Sequence, residues 1–161
     1  MDHGFLETVR IFYEANLQAL YTYALTLTQC EAAAEDAIQT AICRVLRRGR
    51  APRELRPYLF RCVRNAAIDG LRTNHREQAR DAIYRPQHET PGADALALRQ
   101  EIEQLLHNLS DDERECIILP VYGGMTFREI AAVRRASLHT VASQYRRALQ
   151  KMRALCGEQK P

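Results

Sequence analysis

The sequence predicts an all-α protein of two small helical domains joined by a flexible linker, the C-terminal domain a helix-turn-helix. Three observations carry that prediction. Apolar residues recur at spacings of three and four along most of the chain, strand-type alternation is absent, and one polar stretch with two prolines and a glycine interrupts the pattern at residues 74–94. The 161 residues suffice for two such units, with boundaries expected at 1–73, 74–94 and 95–161.

Phe5, Val9, Phe12, Leu17, Leu20, Tyr21, Ala24 and Leu25 mark a first helix over about residues 4–27. Thr28 followed by Glu31 has the spacing of a capping box, so a second helix is expected from about 30 to 48, burying Ala34, Ile38, Ala41, Ile42 and Val45. Gly49 and Pro52 break it. Pro57 suits the first turn of a third helix, where its missing N–H costs nothing, and Leu59, Val63, Ala66 and Leu71 form the buried stripe. A fourth helix begins near Ala95, with Leu98, Ile102, Leu105 and Leu106 facing inward. Ser110 with Glu113 caps a fifth, which Pro120 should kink or end and which Gly123 and Gly124 terminate. Thr126 with Glu129 caps a short sixth helix from Phe127 to about Arg134, and Ser137 caps a longer, basic seventh. Two helices joined by so tight a turn have the layout of a helix-turn-helix.

The formal charge of +3 says little, but its distribution is uneven. Arg44 to Arg72 holds nine arginines against Glu54 and Asp69, and Thr126 to Cys156 holds seven basic residues against Glu129. Between them, Glu101 to Glu115 holds six acids against Arg114. Two basic blocks suggest two surfaces that meet a polyanion, and 21 of the 23 cations are arginine, the side chain that forks onto phosphate and guanine. The five cysteines are scattered without a CxxC or Cys/His cluster, so they are expected to be small core residues and no metal site is expected. No nucleophile–base set or phosphate loop is present, so neither catalytic residues nor a cofactor are expected; Asp111, Asp112, Glu113 and Glu115 sit at a helix start, where the dipole favours acids. The N-terminus lacks a basic start followed by an apolar run, and no stretch of about 18 apolar residues occurs, so a cytoplasmic protein without membrane insertion is expected.

In the helix-turn-helix, Ile130, Ala131 and Val133 should pack against Val141 and Tyr145. That leaves His139, Thr140, Ser143 and Gln144 near a major-groove floor, with Arg146, Arg147 and Lys151 along the phosphates. Arg128 and Ser137 complete the candidate set. "AEDAIQ" puts Glu35, Asp36 and Gln39 on the exposed side of the second helix. "YLFRCVRNAAIDGLR" puts Arg61, Arg64, Asn65, Asp69 and Arg72 at spacings of three and four, one turn after Tyr58. Cations with an aromatic and an amide suit melted DNA, whose bases stack while its backbone tracks a positive surface. A solvated helix with internal pairs such as Asp69 with Arg72 would show the same spacing.

The stretches "EAAAEDAIQTAICRVL", "LRPYLFRCVRNAAIDGLR" and "LSDDERECIILPVYGGMTFREIAAVRRASLHTVASQYRRALQKMRAL" together resemble bacterial RNA polymerase sigma factors of the extracytoplasmic-function group, in order and spacing, over roughly 130 residues. The resemblance implies that Glu35, Asp36 and Gln39 bind the clamp helices of the polymerase β′ subunit. It implies that Tyr58, Arg61, Arg64, Asn65, Asp69 and Arg72, with Arg47, Arg48 and Arg50 of an arginine-rich loop, engage and help melt the −10 element. The seventh helix would read the −35 element while its domain packs on the β flap, and an anti-sigma factor is a further candidate partner. Departures from the family pattern stand at Ile42, Leu46 and Tyr58, where bulkier aromatics are common, at Arg135, where the turn usually has Gly, and at Ala142 and Gln144, where Lys and Arg are common. The competing expectation is a stand-alone helix-turn-helix regulator that binds duplex DNA as a dimer.

Overall fold

The computed structural model describes residues 3–77 and 101–158, and all regular structure among them is helical. Most of the expected linker and the start of the fourth helix lie outside the described residues. The helices are α1 (His3–Thr28), α2 (Glu31–Arg47), α3 (Leu55–Glu77), α4 (residues 101–107), α5 (Asp111–Val121), α6 (Phe127–Arg134) and α7 (Leu138–Glu158). α1 to α3 form one unit and α4 to α7 the other.

The first unit departs from expectation at its first junction. Thr28 and Glu31 do not form a capping box, because Thr28 is still the last residue of α1 and its hydroxyl donates back to the Ala24 carbonyl at 2.9 Å. Gln29 then turns left-handed at φ 53°, and Cys30 becomes an N-cap without a side-chain cap bond. Pro57 falls in the first turn of α3, as its geometry allows. Leu17 of the expected stripe is exposed, whereas Tyr23 and Phe60, which the stripes did not include, are fully buried and stand with ring centroids 5.7 Å apart.

The second unit follows its capping signals closely. Ser110 with Glu113 and Thr126 with Glu129 each form the reciprocal pair of bonds between side chain and backbone. Pro120 lies in the last turn of α5, and the helix ends one residue beyond it. Gly123 is required there, since a Cβ would stand 2.7 Å from the Leu119 carbonyl oxygen. Arg114 reaches back to accept no proton but to donate to the carbonyls of Leu106 and Leu109, satisfying the end of α4. Between α6 and α7, Arg135 adopts φ 52° and ψ 42°, the left-handed turn in which a side chain costs on the order of 1 kcal/mol relative to glycine.

The two units meet. One continuous apolar cluster runs from Leu20, Tyr23, Leu59 and Phe60 to Cys116, Ile118, Leu119 and Ile130. Burying each large aliphatic side chain contributes about 1.5–3 kcal/mol, so the joint face is a substantial part of the core. The cysteines divide differently from expectation: Cys62 and Cys116 are buried, but Cys43 and Cys156 are exposed on the solvent faces of their helices and Cys30 is exposed in the junction between α1 and α2.

Candidate nucleic-acid and polymerase interfaces

Three surfaces hold the predicted residues. On α2, Glu35, Asp36 and Gln39 are all exposed, while Ala34, Ala37 and Ile38 of the same turns are buried beneath them. Glu35 and Gln39 also edge a groove of about 1210 Å³ between α1–α2 and α4–α5, floored by side chains such as Leu25 and Ile118.

The second surface surrounds the α2–α3 loop. Arg47, Arg48 and Arg50 are exposed. Tyr58 is half-buried and flanked by two cations, with the Arg48 guanidinium 5.1 Å and that of Arg61 5.5 Å from its ring centroid. Each such contact contributes about 0.5–1 kcal/mol and fixes a positive rim around an aromatic face. Asn65, Asp69 and Arg72 are exposed along α3. Asp69 meets Arg44 of α2 at 3.5 Å, a pair between helices and not the internal Asp69–Arg72 pair of the solvated-helix alternative, because the helices pack side by side there.

Arg64 is different. It turns into the junction between the units, where its Nε donates to Glu115 Oε2 at 2.9 Å and its Nη2 to Oε1 at 3.2 Å. Tyr23 donates its hydroxyl to the same carboxylate at 2.7 Å. Burial and the Glu115 charge push the Tyr23 phenol well above its ordinary pKa, so it remains a donor. Although burial works in the opposite direction, the bonds and charge of Glu115 raise Arg64 further. A second tie runs from Arg56 to the carbonyls of Gly123 and Gly124, each at 3.3 Å.

On the third surface, Arg128, Ser137, His139, Arg146 and Arg147 are exposed, and Thr140 and Ser143 half-exposed. Ser137 accepts from the Thr140 backbone N–H at 3.0 Å, capping α7. Phe127 and Tyr145 stack edge to face at 5.0 Å, holding α6 on α7 above buried Ile130, Val133 and Val141. Two predicted residues point elsewhere. Lys151 donates to Glu113 at 2.8 Å, and the Gln144 amide is held between Arg134 and Asp112. Periodicity alone did not single out Arg134, Glu115 or Tyr23 as site residues. The available signals were position four after Ile130 for Arg134, and position four before Leu119 for Glu115, both on buried stripes.

Matches to known proteins fall on the same two units. The family model for sigma-70 region 2 matches residues 12–77, and that for sigma-70 region 4 matches residues 99–152. RNA polymerase sigma factor CarQ of Myxococcus xanthus is 33% identical over 133 residues, covering 79% of this chain and 76% of that protein. The ECF RNA polymerase sigma factor RpoE of Cereibacter sphaeroides is 32% identical over 99 residues, 60% of this chain. That match spans a little over half, 55%, of the relative. In structure, the sigma factor RpoE solved with the anti-sigma factor NepR from Bartonella quintana superposes with a TM-score of 0.70 at 24% identity, over 94% of this chain and 98% of that one. The chain belongs to the sigma-70 family of RNA polymerase sigma factors, in its extracytoplasmic-function group.

Proposed function

We propose that this chain binds core RNA polymerase and directs promoter-specific initiation in the cytoplasm, as a subunit with no catalytic chemistry of its own. The observation that carries the reading is the presence in one chain of three exposed surfaces of different chemistry: the acid–amide patch on α2, the arginine rim around Tyr58, and the helix-turn-helix. Glu35, Asp36 and Gln39 take the clamp helices of β′. Arg47, Arg48, Arg50, Tyr58, Arg61, Asn65, Asp69 and Arg72 meet the −10 element as it melts, and Arg64 joins them once it leaves Glu115. His139, Thr140 and Ser143 face the −35 duplex, with Arg128, Ser137, Arg146 and Arg147 near its phosphates, while the domain rests on the β flap. The dimeric-regulator reading is not favoured, since the family matches cover the N-terminal unit as well.

An anti-sigma factor is a further partner in this reading, as for the Bartonella quintana protein. A partner seated in the groove beside Glu35 and Gln39 competes with the polymerase for them.

Purified chain added to core polymerase is expected to give initiation at defined start sites, and no such gain would overturn the reading. Asp36→Arg should abolish core binding while leaving the fold intact. Arg147→Ala should weaken −35 binding nearly uniformly across sequences and reduce its salt dependence by about one phosphate contact. A changed base preference in that variant would show that Arg147 reads bases.

A further inference from the structure

We propose that Arg134 is the positioning residue of the recognition helix α7, and that Gln144 belongs to this internal brace and not to the base-reading set. The assignment rests on the reading of α7 as the −35 helix and refines it.

The Arg134 side chain is only 4% exposed, an unusual state for a guanidinium. It lies at the C-terminal end of α6, next to the left-handed Arg135, where a cation also suits the helix dipole. Its Nη1 donates to the Gln144 Oε1 of α7 and to the Cys116 Sγ of α5 at 3.0 Å. Its Nη2 stands 2.7 Å from Asp112 Oδ1, and its Nε faces Glu115 Oε2 at 3.9 Å. One planar group therefore ties together three helices, and it reaches the angle between α6 and α7 on which major-groove docking depends.

The Gln144 amide is engaged at both ends. Its oxygen accepts a hydrogen bond from Arg134 Nη1, and its nitrogen donates to Asp112 Oδ2 at 3.4 Å. Helix geometry agrees. Three residues past fully buried Val141, Gln144 lies only about 60° around the helix from it, whereas His139, Ser143 and Arg146 lie on the far side. To touch a base edge, Gln144 would have to leave a buried cation unpartnered at one position, which is costly.

The resemblance places Arg where this chain has Gln144. An arginine there would lie beside Asp112, whose carboxylate the shorter glutamine amide already reaches. Here the cation comes from α6 and the neutral partner from α7, so a cation placed on α7 instead would face the same acid of α5. That exchange supplies the test.

Holoenzyme made from core polymerase and each variant would transcribe a promoter library randomised over the −35 element, and the transcripts would be sequenced. Gln144→Ala should lower output a few-fold, leaving the ranking of sequences unchanged. His139→Ala should alter preference at one base pair. Arg134→Leu should lose roughly tenfold in output and flatten preference at several positions, as expected when a reading helix shifts. The double variant Arg134→Leu with Gln144→Arg should recover most of that loss. A change of preference at a single base pair in Gln144→Ala would overturn the assignment, and needs no folding control because that variant keeps Arg134. Failure of the double variant to recover, when its far-UV circular dichroism matches wild type, would overturn it too. A wild-type holoenzyme without any −35 preference would instead overturn the reading of α7 itself, and this assignment with it.

Discussion

Each unit carries an acidic cluster on a helix, yet the two clusters have opposite fates. Glu35 and Asp36 on α2 are exposed and form no ion pair with the described residues. Glu113 and Glu115 on α5 are buried, at 5% and 2% exposure, and both are paired. The difference lies in the helix beneath the acids. α2 buries one stripe, so an acid between apolar positions still finds solvent. α5 carries the run "CIIL" and is covered almost all round, so an acid on it must find a partner inside. An acid that faces water is available to another protein, and one sealed beside cations holds its own protein together.

Removing the sealed charge tests this contrast most severely. Glu115→Ala leaves the guanidiniums of Arg64 and Arg134 and the Tyr23 hydroxyl around an empty site. Breaking a buried pair in this way costs about 3–5 kcal/mol, whereas Asp36→Arg should stay within about 0.5 kcal/mol of wild type. Urea unfolding of both variants measures the gap. A loss below about 1 kcal/mol in Glu115→Ala would show that the junction is not sealed in solution.

Tyr23→Phe is a gentler form of the same experiment. It deletes one bond to the carboxylate and leaves the Arg64 fork intact. The expected loss is about 1.5–3 kcal/mol, the range for a buried bond to a charged group. A double-mutant cycle with Glu115→Gln should show coupling between the two, and additive effects would mean that the hydroxyl and carboxylate do not act as a pair.

The periodicity of the sequence made most helices legible, and so did the cap pairs at Ser110 and Thr126, whereas the left-handed turn at Arg135 was hinted at only by the Gly usual there in the resembled family. The same pattern misled at Thr28, whose hydroxyl has a nearer acceptor in its own helix at Ala24. That alternative partner for the hydroxyl is invisible to spacing. The exposed patch on α2 and the arginines near Tyr58 were legible as candidates because surface position follows from one helix's own stripe. The fates of Arg64, Gln144 and Lys151 were not, since each depends on a partner on another helix. Arg64 meets an acid 51 residues away, and nothing in the phase of α3 announces it.

The pair between Lys151 and Glu113 gives the smallest effect and extends the contrast to acid. Burial alone would raise the Glu113 carboxyl, but the Lys151 ammonium and the Ser110 backbone N–H hold it below the ordinary glutamate value. A carboxylate depressed in the folded state contributes stability that is fully present above its unfolded pKa and is lost as pH falls through the folded one. Wild-type unfolding free energy should therefore decline as the solution is acidified below the usual glutamate range, and Glu113→Gln should show a flatter acid limb. At neutral pH the variant should lose about 0.5–1 kcal/mol, because Lys151 is half-exposed and solvent screens the pair. Urea midpoints between pH 3 and pH 7, scanned in steps of roughly half a unit, would show both effects. Lys151→Met should reproduce most of the flattening while leaving the Ser110 cap in place. An unchanged acid limb in that variant would assign the depression to the cap alone, and the sealed cluster would then owe nothing to α7 at this position.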